Sequence, residues 1–134
     1  MKKIIILLAV CALALVSCKQ GDGIMTYKDG VFTINTTKLG KDIEGYNGAT
    51  PLLITIEKRV ITSIEVLEND ETPRFLKRAE DGIFPRLIGR TPDELIYDEI
   101  DAVSGATYSS EALITNLRRG IQYYVDNRLK FRYY

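Results

Sequence analysis

Asp101-Ala102-Val103-Ser104-Gly105-Ala106-Thr107-Tyr108-Ser109 is the stretch on which the reading of this chain turns. Small and hydroxyl-bearing residues run directly into a long apolar period. Leu113, Ile114, Leu117, Ile121, Tyr124 and Val125 recur at intervals of three and four, the stripe of an amphipathic helix over about 108–127. Asn116, Arg118, Arg119 and Gln122 are expected on its polar face. A helix start exposes unpaired backbone N–H groups and the positive end of the helix dipole, which together favour an anion. Gly105 and Ala106 leave room for a phosphate to approach the backbone, and Thr107, Ser109 and Ser110 add hydroxyls. No lysine follows the glycine and the glycine spacing is not that of a Walker loop, so nucleotide hydrolysis is not indicated. Taken alone, a threonine here reads as an ordinary helix cap, and only the surrounding residues change that.

Working outward, Thr91-Pro92-Asp93-Glu94 has the form of a capping box opening a short helix, with proline at the first helical position. Beyond Pro73, Phe75, Leu76 and Ala79 fall at helical spacing, with Gly82 as the expected stop. Before them, residues 52–57 and 60–67 are rich in β-branched side chains and form a hairpin in which Val60, Ile64 and Val66 share one face. Residues 31–36 read as an earlier strand, and the glycine-bearing segment 40–48 as a wide loop. Strands followed by helices give an α+β fold: a small curved antiparallel sheet with packed helices, the longest at the carboxyl end.

The amino terminus carries a different message. Lys2 and Lys3 precede an apolar run over 4–16 that is too short for a permanent membrane span, which is the form of a signal peptide. The run ends in Leu15-Val16-Ser17-Cys18, which resembles a bacterial lipobox, so residues 1–17 are expected to be cleaved and Cys18 to be lipidated. Residues 18–26 read as a polar linker, 27–127 as the domain and 128–134 as a basic and aromatic tail, frayed or paired at an edge. The expected location is extracytoplasmic, in the bacterial cell envelope, tethered to a membrane through lipid.

Composition narrows the chemistry. Cys11 falls in the leader and Cys18 takes the lipid, which leaves no disulfide in the mature domain. There is no histidine, the side chain best suited to acid–base work near neutral pH and to most haem and zinc sites. Eighteen basic and eighteen acidic residues become a net charge of about −2 once the leader is lost, which gives no support for a nucleic-acid partner. Redox or group-transfer chemistry would have to come from a cofactor.

The nine-residue run resembles the flavinylation motif of the FMN-binding domain family, which includes flavin-bearing subunits of the sodium-pumping NADH:quinone reductase and of the Rnf complex. Asp101 stands six positions before Thr107, Ser104-Gly105-Ala106 leads into it, and Ser109 lies two beyond. Tyr27-Lys28-Asp29-Gly30, Gly45-Tyr46-Asn47-Gly48 and Glu71-Thr72-Pro73 follow the family's order. The resemblance implies FMN joined by a phosphoester to Thr107 through an FAD:protein FMN transferase. It also implies that Ser104, Gly105, Ala106 and Ser109 line the phosphate, that Asp101 takes part in modification, and that Glu71 and Thr72 approach the flavin ring. Arg74 and Phe75 depart from the larger relatives, in which glycine commonly follows the proline. The implied role is an electron carrier between donor and acceptor proteins, or a quinone-linked complex, more than a turnover enzyme. A domain that holds FMN noncovalently, to sense or deliver it, and an interaction lipoprotein that has lost the flavin are the alternatives.

Overall fold

In the computed structural model, residues 22–131 are described; the leader and Cys18 lie outside them. Four antiparallel strands form one sheet in sequence order: β1 (Met25–Lys28), β2 (Val31–Asn35), β3 (Leu52–Glu57) and β4 (Val60–Val66). Three helices follow: α1 (Pro73–Ile83), continued by a 3-10 turn at Phe84–Arg86, then α2 (Pro92–Leu95) and α3 (Thr107–Asn127). The architecture is α+β, with the long helix last, as the sequence pattern predicts. No helix among the described residues is long and apolar enough to cross a membrane.

Both hairpins turn on two residues in the left-handed region, the geometry that matches the twist of the flanking strands. Asp29 and Gly30 form the first, at φ 51° and 84°. Lys58 and Arg59 form the second without a glycine, at 51° and 67°. β1 itself departs from expectation, because the polar composition of 18–26 suggests a linker throughout. Met25 pairs with Ile34 and is fully buried, so the sheet begins two residues earlier than that composition implies.

A bulge changes the face of β4. Thr55 pairs with Ser63 and Ile56 with Ile61, which leaves Thr62 without an opposite residue. The extra residue shifts the side-chain phase by one. Ile61, not Val60, therefore joins Ile64 and Val66 against the core.

Helix α3 packs on the sheet through Leu113, Leu117, Ile121 and Tyr124. Gly120 permits the close approach: a Cβ there would come within 2.7 Å of Ile54 Cδ1 and 2.9 Å of Thr36 Cγ2. Asn116, expected on the polar face, is instead buried, because it lies one turn from both Leu113 and Gly120 on the core stripe. The Thr36 hydroxyl donates to Asn116 Oδ1 at 3.1 Å, and Asn116 Nδ2 donates to the carbonyl of Ala112 at 3.0 Å. Arg119 donates to the Leu39 carbonyl and grips the Asp42 carboxylate with two nitrogens, fixing loop 40–48 to the helix.

Two local expectations are corrected. Gly82 does not stop α1, which runs through it to Ile83. A Cβ at Gly82 would overlap Val103 Cγ2, so the glycine answers to packing. Thr91 does precede α2, with Pro92 first in the helix, yet no side chain caps it. Asp93 is engaged elsewhere. It receives two hydrogen bonds from Arg128, at 2.7 and 2.8 Å. The tail is accordingly folded as far as Phe131: residues Arg128–Phe131 form a 3-10 turn, and Phe131 lies edge-on to Phe32 at 6.0 Å.

The Arg128 hydrogen bonds hold the Asp93 carboxyl below its ordinary value. A depressed carboxylate contributes stability above its unfolded value, about pH 3.9, and loses that contribution as pH falls through the folded value. The pair is partly solvated, with side chains 46% and 23% exposed, which limits its contribution to about 1 kcal/mol or less. Asp93→Asn should therefore melt lower than wild type at pH 7, and the gap should close toward about pH 2. A gap that persists undiminished in acid would show that the ion pair is not its source.

Candidate functional site

The motif takes its shape from three backbone features. Gly105 adopts φ 81°, a left-handed conformation that glycine enters at low cost. Ala106 then closes a turn by donating to the Val103 carbonyl at 3.0 Å and serves as the residue before the helix, with no side-chain cap. Thr107 is the first helical residue. The first helical bond in this turn runs from Ser110 N to Ala106 O, so the amides of Thr107, Tyr108 and Ser109 have no partner inside the helix. Thr107 and Ser104 are exposed, and Ala106 is buried.

The remaining serines point inward. Ser110, fully buried, accepts a hydrogen bond from Val103 N at 3.0 Å and pins the approach to the helix. Ser109, 1% exposed, donates to Glu71 Oε2 at 2.9 Å. Glu71 is itself buried, and its other oxygen accepts from Asn47 N at 2.9 Å. Gly45 fits against this carboxyl, where a Cβ would overlap Oε1. Thr72 precedes α1 and accepts from Asn47 Nδ2 at 3.0 Å. Glu71 and Thr72 thus brace the 45–48 loop from beneath.

That loop presents Tyr46 to the same side as the motif. A cleft is lined by Tyr46, Phe75, Gly105, Ala106, Thr107, Tyr108 and Ser109. The Tyr46 and Phe75 rings meet edge-on at 5.5 Å, and the Arg74 guanidinium lies 4.8 Å from the centre of the Phe75 ring. Tyr46 and Tyr108 remain 58% and 67% exposed, so the cleft has aromatic surface open to a planar ligand.

Of the residues singled out in sequence, the structure brings Gly105, Ala106, Thr107 and Ser109 together in this cleft, with Glu71 and Thr72 one side chain behind it. Ser104 sits in the exposed turn before Gly105. Asp101 stands apart, exposed, with its carbonyl accepting from Arg86 Nη2 at 3.3 Å. The sequence alone leaves Tyr46 undecided between packing on a ring and closing a turn, and it does not single out Phe75, Arg78 or Asn47 for the site. A signal for two of these exists. Phe75, Arg78 and Gly82 follow at three- and four-residue intervals on one face of α1. Gly82 packs on Val103, Arg78 Nη1 lies 2.5 Å from where a Gly105 Cβ would stand, and Phe75 shares the cleft with residues 105–109. Helix α1 therefore runs along the motif in the opposite direction.

An α+β domain with an uncapped helix start beside an open aromatic cleft is the class of protein that fold and site define. The model of the FMN-binding domain family matches residues 45–122, more than half of the chain. The chain belongs to the FMN-binding domain family. Neither the characterised proteins nor the solved structures yield a match. FMN suits the residues present. A glycine at positive φ, with amides that lack helical partners beside it, would suit a phosphate, and Tyr46 and Phe75 would offer an aromatic surface to a ring.

The brace beneath the cleft makes a prediction about stability. Glu71→Ala leaves the Asn47 amide and the buried Ser109 hydroxyl without their partner and should cost about 1 to 3 kcal/mol in urea unfolding. Glu71→Gln should cost much less, because its oxygen accepts from Asn47 while its amide donates to Ser109. Equal losses in the two variants would refute the bridging role.

Proposed function

We propose that this protein is an extracytoplasmic electron carrier that bears FMN in phosphoester linkage on Thr107 and is held at a membrane through lipid on Cys18. The observation that carries the reading is the position of Thr107: exposed, first in α3, inside the aromatic cleft and beside three amides without helical partners.

Each part of the site has a definite task. Thr107 Oγ1 is the nucleophile toward the FMN phosphorus of FAD. One P–O bond forms, the pyrophosphate bond breaks, AMP leaves and the hydroxyl proton is lost. An external transferase catalyses that exchange, since the chain has no histidine and the buried Glu71 faces Asn47 and Ser109. The amides at the helix start hold the remaining phosphate charge, and Gly105 keeps side chains out of its way. Tyr46 and Phe75 cover part of the ring, and Asp101, exposed and outside the cleft, is available to the transferase. Bound FMN supplies one- and two-electron chemistry that no side chain here provides. A covalent link keeps the cofactor with its protein where a free one would be diluted.

Intact mass after co-expression with the transferase tests the attachment. The wild type should gain one FMN that survives acid precipitation, and Thr107→Val should gain none while remaining folded, at a stability cost of about 1 kcal/mol or less. Flavin found on Ser104 or Ser109, or released by acid, would refute the Thr107 linkage.

The anchor has its own test. Wild type should partition into the detergent phase and Cys18→Ser into the aqueous phase. A wild type that stays aqueous would refute lipidation.

A further inference from the structure

We infer that Arg78 is the phosphate-contacting cation of this site, an inference that rests on the FMN reading and adds to it a residue outside the motif. Two residues before Thr107, the chain has a glycine in the left-handed region, and the guanidinium occupies the space that a side chain at Gly105 would fill. Arg78 reaches this place from another element. Helix α1 carries it on the face that follows the motif, between Phe75 at the cleft and Gly82 against Val103.

The neighbouring cations are otherwise engaged. Lys77 pairs with Asp81, Arg74 lies over the Phe75 ring, and Arg86 donates to the carbonyls of Gly82 and Asp101. Among the described residues, Arg78 makes neither a salt bridge nor a side-chain hydrogen bond. Its planar fork of donors matches two oxygens of one phosphate, a geometry that a lysine ammonium does not reproduce. The helix start and Arg78 thus meet at Gly105, beside the cleft that Gly105 to Ser109 line. The ring end of the cleft, at Tyr46 and Phe75, is served by different residues. The site therefore divides into a phosphate half and a ring half, with Arg78 belonging to the first.

A pair of flavins that differ only in phosphate separates the halves. The full chain, produced without the transferase so that Thr107 carries a free hydroxyl, is titrated with FMN and with riboflavin and followed by flavin fluorescence. Wild type should bind FMN at least about tenfold more tightly than riboflavin, the scale of one charge-assisted hydrogen bond. Arg78→Ala should weaken FMN about tenfold and leave riboflavin within about twofold, erasing the difference. Arg78→Lys should restore part of it, and it carries the comparison should the alanine variant prove unstable. FMN affinity unchanged in Arg78→Ala, or both flavins weakened alike, overturns the inference while the FMN reading stands. A wild type that binds neither flavin overturns the inference, whereas the FMN reading itself falls only if the chain also gains no flavin mass on co-expression with the transferase.

Discussion

The carboxyl of Glu71 is the junction on which the site's geometry depends. One oxygen holds the backbone of the 45–48 loop, the other holds the first turn of α3, and the residue itself sits just before α1. Three segments distant in sequence are joined at one buried group. A buried charged group of this kind is costly to leave without partners, and here both oxygens have them. The interaction also directs Ser109 inward, which leaves the cleft floor to backbone amides and the exposed face to Thr107.

The distribution of polar groups follows from that arrangement. Hydroxyls of Ser109 and Ser110 hold structure, while the groups facing outward are amides, the Thr107 hydroxyl and aromatic rings. Such a surface fixes and orients a ligand but offers little acid–base chemistry, in keeping with a chain that has no histidine. Helix α1 supplies the complementary wall, and its stripe of Phe75, Arg78 and Gly82 explains why this helix needs a small residue near its end.

Much of this was legible in the residues. The periodic apolar stripe located α3 to within a residue, the β-branched runs located β3 and β4, and the small residues before Thr107 marked the turn that opens α3. What stayed hidden has physical causes. The bulge at Thr62 inverts the side-chain phase of β4, and alternation alone gives no warning of an inserted residue. Asn116 reads as polar and therefore outward, but its partner, the hydroxyl of Thr36, lies eighty positions away. Gly82 looks like a helix stop because its packing partner is Val103 on a later segment. The bond from Ser109 to Glu71 is likewise invisible locally, since the two lie thirty-eight positions apart. Each miss concerns a contact distant in sequence.

An open sheet has two outer strands, and each is a template onto which another chain could add. Here β4 is spoiled for that purpose in two ways. Its bulge interrupts the ladder at Thr62, and next to it the main chain of Ile61 is already occupied on its outer side, donating to the Arg90 carbonyl and accepting from the Gly89 amide. The β1 edge is four residues long and ends in a lysine. Strand-by-strand polymerisation between copies is disfavoured at both margins, a useful property for any domain concentrated on a surface, where neighbours meet often and in similar orientations.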